Sequence, residues 1–231
     1  MSNTIKAILT DIEGTTTALS FVTENLFPYA QKHLADYVFD HETEIADLLN
    51  DVRTEERNAE LTLEEVLEVL QRYIDEDQKV TALKEIQGMI WEAGYKSGEI
   101  IGHLYEDAYH GLQRWKEQGH QLFIYSSGSV MAQKLLFGHT EFGDLNHLFS
   151  GYYDTTIGHK KQEESYTAIA HDMTIDPENI LFLSDNTDEI AAADKAGMQV
   201  IILDREKALF ENGDYRVVNN FDDILPETVR A

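Results

Sequence analysis

Asp11 and Glu13 stand two residues apart in "ILTDIEGTTT" (8–17), directly after the apolar run Ile5 to Thr10 and just before Gly14. Carboxylates so spaced make a turn or helix cap, or they gather a cation beside a nucleophile. Three other stretches end in the same way. "QLFIYSS" (121–127) closes on Ser126 and Ser127, "GHKK" carries Lys160 and Lys161, and "ILFLSD" (180–185) closes on Asp185. Each has an ordinary explanation taken alone: serines start helices, adjacent lysines are solvated, and "SDNTDE" reads as an N-cap with acids in the first helical turn. What joins them is placement, since every one follows a strand-like apolar run.

The chemistry available to such a set is specific. Asp11, Glu13 and Asp185 would repel one another unless a hard divalent cation sat among them, and an oxygen-only donor set beside a phosphate suits one Mg2+ per subunit. With the charge neutralised, Asp11 could attack phosphorus in line and form an aspartyl-phosphate. Glu13 could protonate the leaving oxygen and later activate water. The Ser126 hydroxyl, nearby backbone N–H groups and Lys160 would hold the phosphoryl oxygens.

The elements that must position these groups are legible as textures. "QLFIYSS", "LFSGYYD", "ILFLSD" and "MQVIIL" are short apolar runs separated by helical stretches such as "GSVMAQKLLF" and "SYTAIAHDM", an alternation that predicts a parallel sheet with crossover helices. From about Phe21 to Gly119 apolar residues instead recur three and four apart, as in "LEEVLEVLQRYIDED", with a kink or boundary expected at Pro28. The expected fold is therefore α/β, a doubly wound, Rossmann-like parallel sheet (residues 1–17 and 101–231) interrupted by a helical cap (18–100). Ligands of such sheets bind beyond the C-terminal ends of the strands, where all four polar stretches fall.

Composition narrows the partners. The chain has 231 residues, 42% of them hydrophobic, and sets 18 Lys and Arg against 43 Asp and Glu for a formal charge of −25. That field repels nucleic acid and anionic membranes, so neither is an expected partner. There is no cysteine, which removes thiol catalysis and disulfides. With no secretory leader or long apolar span in evidence, a cytoplasmic location and a monomer are expected.

In this order the residues resemble the haloacid dehalogenase superfamily. Its first motif, D-x-D-x-T/V, is matched by Asp11, Glu13 and Thr15, its second by Ser126, its third by Lys160 and its fourth by Asp185 with Glu189. The departure is Glu13, where most members carry Asp. The longer segments "DIEGTTT", "AGYKSGEIIGHLYED", "YSSGSVMAQKLLFGHT", "YYDTTIGHKKQEESY" and "ILFLSDNTDE" are similar to the acireductone synthase family, the enolase-phosphatases of methionine salvage. The resemblance implies a Mg2+-dependent haloacid dehalogenase core with a cap. The reaction it implies converts the phosphorylated diketone 2,3-diketo-5-methylthiopentyl-1-phosphate to 1,2-dihydroxy-3-keto-5-methylthiopentene and phosphate. It further implies Asp11, Glu13 and Asp185 as metal ligands and Ser126, Ser127 and Lys160 as substrate-phosphate contacts. Phe21, Trp91 and Tyr95 are candidates for an apolar wall around the thioether tail, or ordinary helix packing. Three alternatives remain at this level: a phosphatase of another small phosphomonoester without enolase activity, a phosphate-storing signalling receiver, and an acidic cation buffer without catalysis.

Overall fold

Among the described residues, four of the six strands are short runs rich in Val, Ile, Leu and Phe with almost no exposed residue, the pattern of strands covered on both faces. In the computed structural model, which describes residues 4–207 and 215–226, these are β1 (Ala7–Thr10), β2 (Gln121–Tyr125), β4 (Ile180–Ser184) and β5 (Gln199–Leu203), joined by β3 (Phe149–Tyr153) and β6 (Val217–Val218). They form one parallel sheet in the order β3-β2-β1-β4-β5-β6. The two-residue β6 is too brief to leave a periodic signal in sequence and was not among the expected strands.

The described residues divide into two compact units, within 1–19 with 101–231 and within 20–100. The first contains the sheet and the helices α6 (Glu106–Glu117), α7 (Val130–Gly138), α8 (Glu163–Met173) and α9 (Thr187–Lys195). Its core joins β1, β2 and β4 to α8 and α9 through Leu9, Phe123, Tyr166, Ile169, Phe182 and Ile190. Because β1 pairs with β2 on one side and β4 on the other, strand order reverses at β1, and the crevice of such a sheet opens at the C-terminal ends of these strands.

The other unit is helical. A single-turn α1 (Leu19–Phe21) and a wider π-wound segment, Val22–Leu26, lead into α2 (Phe27–Asp40), which is followed by α3 (Ala46–Glu55), α4 (Leu63–Asp75) and α5 (Thr81–Ser97). Pro28 is the second residue of α2, directly after the π-wound segment, and the residues before it keep right-handed helical angles, so the winding changes there without the helix stopping. Helix α4 begins with a capping box in which Thr62 and Glu65 exchange hydrogen bonds. Leu34, Leu49, Val66, Leu70 and Ile86 share this unit's core. Phe21 and Tyr95 are buried, and the Trp91 indole N–H donates to the Leu26 carbonyl at 2.8 Å. Among the described residues no helix is long and apolar enough to cross a membrane.

Candidate active site

Strand register decides which side chains meet. Thr10 pairs with Ile124 and with Leu183, so the next residues, Asp11, Tyr125 and Ser184, stand at one level at the C-terminal edge of the sheet and Ser126 and Asp185 follow one step later. The Asp11 N–H still donates to the Leu183 carbonyl at 2.9 Å, which fixes the first carboxylate at the lip of β1. Beyond it the chain turns sharply. The Ile12 carbonyl accepts from the N–H groups of Thr15, Thr16 and Thr17, and Gly14 adopts φ +72°. A side chain at Gly14 would run into the Asp185 carboxylate, so this glycine lets the β1 and β4 loops touch. Thr15, fully buried, accepts the Asp185 N–H on its hydroxyl at 3.1 Å and locks that contact.

Lys160 arrives from the loop after β3. Its Nζ lies 2.6 Å from Asp11 Oδ1 and 2.7 Å from Glu189 Oε2, and the side chain is 6% exposed. The buried Tyr166 hydroxyl donates to the Lys160 carbonyl at 2.7 Å and holds the backbone from below. Lys161 points elsewhere, pairing at the surface with Asp188 at 2.7 Å. Of the two serines after β2, Ser126 is buried and accepts the Gly128 N–H at 3.3 Å, whereas Ser127 is exposed. Gln133 on α7 fastens this loop by donating to the carbonyls of Gly128 and Tyr153, at 2.8 and 2.9 Å.

The electrostatics are those of a crowded acidic centre with one cation. Burial alone would push the Lys160 ammonium down, but Asp11 and Glu189 together hold it above its ordinary value. Burial and then the charges of Asp11 and Asp185 push Glu13 up, against the pull of Lys160. Asp185 is solvent-exposed on one side, yet desolvation by the surrounding loop and the charge of Asp11 push its carboxyl up to about 6. Glu189 is also displaced upward, by burial and by Asp11, so among these groups the carboxylates yield while Lys160 stays charged. Four acids facing one ammonium is a deficit of positive charge.

A hard divalent cation fits that deficit. Among the described residues no three acidic or histidine side chains converge into a ready-made cage. Mg2+ needs none, because it is commonly held by one or two carboxylates with waters and substrate phosphate. Asp11 and Asp185, whose charges oppose each other across touching loops, could serve as a donor set of that kind.

Several members of the site carry no signal as single residues. Ser184 reads as the last residue of a strand, yet its hydroxyl donates to Glu189 Oε2 at 3.1 Å. Gln133 and Arg205 belong to stretches with ordinary helix or surface composition, and only the rule that ligands gather beyond strand ends points toward Arg205, just past β5.

The chain is similar to known proteins. Residues 5–197 match the family of haloacid dehalogenase-like hydrolases. The chain is 51% identical to "Enolase-phosphatase E1" of Sulfurihydrogenibium sp. (strain YO3AOP1) over 95% of this chain and 97% of that protein. It is 48% identical to the protein of the same name from Aquifex aeolicus, over 95% of this chain and 99% of that one. Among solved structures, the UTR4 protein of Saccharomyces cerevisiae superposes with a TM-score of 0.83 at 32% identity, covering 95% of this chain and all of that one. CbbY from Rhodobacter sphaeroides, at 17% identity, 95% and 96% coverage and a TM-score of 0.59, shares the fold. The chain belongs to the enolase-phosphatase E1 family of the haloacid dehalogenase-like hydrolases.

Proposed function

We propose that this protein is a Mg2+-dependent enolase-phosphatase that converts 2,3-diketo-5-methylthiopentyl-1-phosphate to 1,2-dihydroxy-3-keto-5-methylthiopentene and phosphate in methionine salvage. The observation that carries this reading is the contact of Lys160 Nζ with Asp11 Oδ1, 2.6 Å apart at the ends of the central strands, in a chain about half identical to enolase-phosphatases over nearly its whole length.

In the proposed mechanism Lys160 and the Ser126 hydroxyl bind the phosphoryl oxygens, with Ser127 at the mouth of the same loop. Glu13, a carboxylate that burial and the charge of Asp11 hold above its ordinary pKa, removes a proton from the carbon bearing the phosphate. The C–H electron pair becomes the new carbon–carbon double bond, and the adjacent ketone oxygen becomes an enolate oxygen that takes a proton from solvent. Asp11 then attacks phosphorus. The bond from phosphorus to the substrate oxygen breaks, Glu13 returns its proton to that oxygen, and the dihydroxy product leaves. Water hydrolyses the aspartyl-phosphate and restores Asp11. Mg2+ held by Asp11, Glu13 and Asp185 would supply Lewis-acid stabilisation of the charge that develops on oxygen. A lysine held between Asp11 and Glu189 is oriented before substrate arrives, which is the preorganisation that phosphoryl transfer rewards.

Asp11→Asn tests the assignment. The substitution keeps shape and burial while removing the nucleophile, so phosphate release should vanish with the fold intact by circular dichroism. Phosphate release at the parent's rate would refute Asp11 as the attacking group.

A further inference from the structure

We infer that Arg205 is a positioning residue that sets the separation of the two loops carrying Asp11 and Asp185, and through it the affinity of the site for its divalent cation. This rests on the metal-dependent reading of those loops given above. Arg205 follows β5, and its guanidinium grips a single backbone atom with two donors: Nε and Nη2 both donate to the Thr15 carbonyl, at 3.0 and 2.8 Å. The third used donor, Nη1, meets Asp107 Oδ2 on α6 at 2.6 Å. Asp107 is held in turn by the Phe221 N–H at 2.7 Å, and the guanidinium lies over the Tyr105 ring at 4.2 Å. Tyr105 returns to the same loop, since its N–H donates to the Thr16 carbonyl at 2.9 Å.

Thr15 is where this brace meets the chemistry. Its carbonyl is the atom Arg205 holds, and its hydroxyl is the acceptor of the Asp185 N–H at 3.1 Å. One residue before it, Gly14 packs directly against the Asp185 carboxylate. A shift of the Thr15 carbonyl therefore moves both the loop that carries Asp11 and the anchor of the loop that carries Asp185. Arg205 touches neither carboxylate, so it acts through the Thr15–Thr16 backbone. Its guanidinium is only 10% exposed, and a planar fork stacked on an aromatic ring with three donors committed has one geometry. Lysine carries its three donors on one nitrogen, so it cannot reproduce the fork that sets two separate nitrogens on the Thr15 carbonyl and a third on Asp107.

The test uses the metal alone as probe. Mn2+ is titrated into substrate-free protein and free Mn2+ is read by electron paramagnetic resonance, in the parent, Arg205→Lys and Arg205→Gln, at a temperature where unfolding curves show each variant folded. Partners that orient metal ligands typically contribute about 10- to 100-fold in metal affinity, so both variants should bind Mn2+ more weakly by about that factor and require correspondingly more Mg2+ for half-maximal turnover. Should the glutamine variant fail to fold, the lysine variant, which keeps the charge facing Asp107, decides alone. Mn2+ affinity within twofold of the parent overturns the inference, because a role limited to stability would leave the folded protein's site unchanged. A parent that itself binds no Mn2+ instead overturns the metal-dependent reading beneath it.

Discussion

Replacing Gly14 by alanine should damage the site far more than the same replacement elsewhere, and the structure supplies its own control. Gly14 and Gly119 both have left-handed backbones, φ +72° and +91°. For an L-residue that conformation costs about 1–2 kcal/mol, offset by roughly 0.4–1 kcal/mol from the less flexible unfolded chain. At Gly119 an added methyl meets nothing within 4 Å, so Gly119→Ala should cost about 1 kcal/mol or less. At Gly14 the methyl meets the Asp185 carboxylate, and forced overpacking adds about 1–3 kcal/mol. Gly14→Ala should thus cost about 2–4 kcal/mol, roughly 4 to 16 °C in melting temperature for a chain of this size. The relief available is to push Asp185 outward, which separates it from Asp11. Thermal unfolding and phosphate release measured on both variants separate the two effects: Gly119→Ala should keep parental turnover, while Gly14→Ala should lose at least about a hundredfold, the scale expected for a misplacement of about 1 Å. Equal turnover in the two variants would refute the claim that contact of these loops sets the site.

Two other perturbations probe charge and the supporting loops. Lys160→Met leaves Asp11 and Glu189 buried without their cation, so urea unfolding at neutral pH should show a loss of about 3–5 kcal/mol together with loss of phosphatase activity. Asp154, one residue past β3, is pushed up by burial, but this is outweighed by hydrogen bonds from the Thr156 hydroxyl and N–H and the Val130 N–H, which hold its carboxyl below the ordinary range. A folded-state pKa below the unfolded value gives stability that is present above about pH 4 and lost as pH falls through the folded pKa. The stability difference between the parent and Asp154→Ala should therefore be full at pH 7 and shrink toward pH 3, and a difference independent of pH would contradict the assignment.

The fold was legible where hydrophobic texture is strong. Runs such as "ILFLS" and "MQVIIL" are apolar but for Ser184 and Gln199 because β4 and β5 are covered on both faces, and the residues after them fall at the strand ends as register requires. The polar residues at strand ends were legible for the same reason, although Lys160 and Lys161 were distinguishable only by motif position. The structure separates them by burial, one held between Asp11 and Glu189, the other at the surface with Asp188. Arg205 was not legible, because its partners Thr15 and Asp107 are 190 and 98 residues away and "LDREK" has the composition of a solvated turn. Ser184 was hidden in the same way, its hydroxyl meeting Glu189 only once α9 begins. Trp91 shows the reverse case: an aromatic residue on a helical stripe could line a ligand or pack a core, and here its indole is committed to the Leu26 carbonyl within the helical unit.

The central claim is that one centre both enolises and dephosphorylates a phosphorylated diketone with the help of a divalent cation. Its most direct test is a time course of the parent protein with 2,3-diketo-5-methylthiopentyl-1-phosphate, following ultraviolet absorbance and inorganic phosphate together, with Mg2+ and again after its removal by chelation. With Mg2+ the absorbance of the conjugated enol should rise and phosphate should reach one equivalent per substrate, and chelation should suppress phosphate release. Release of phosphate from generic sugar phosphates with no turnover of the diketone, or undiminished release after chelation, would contradict the account.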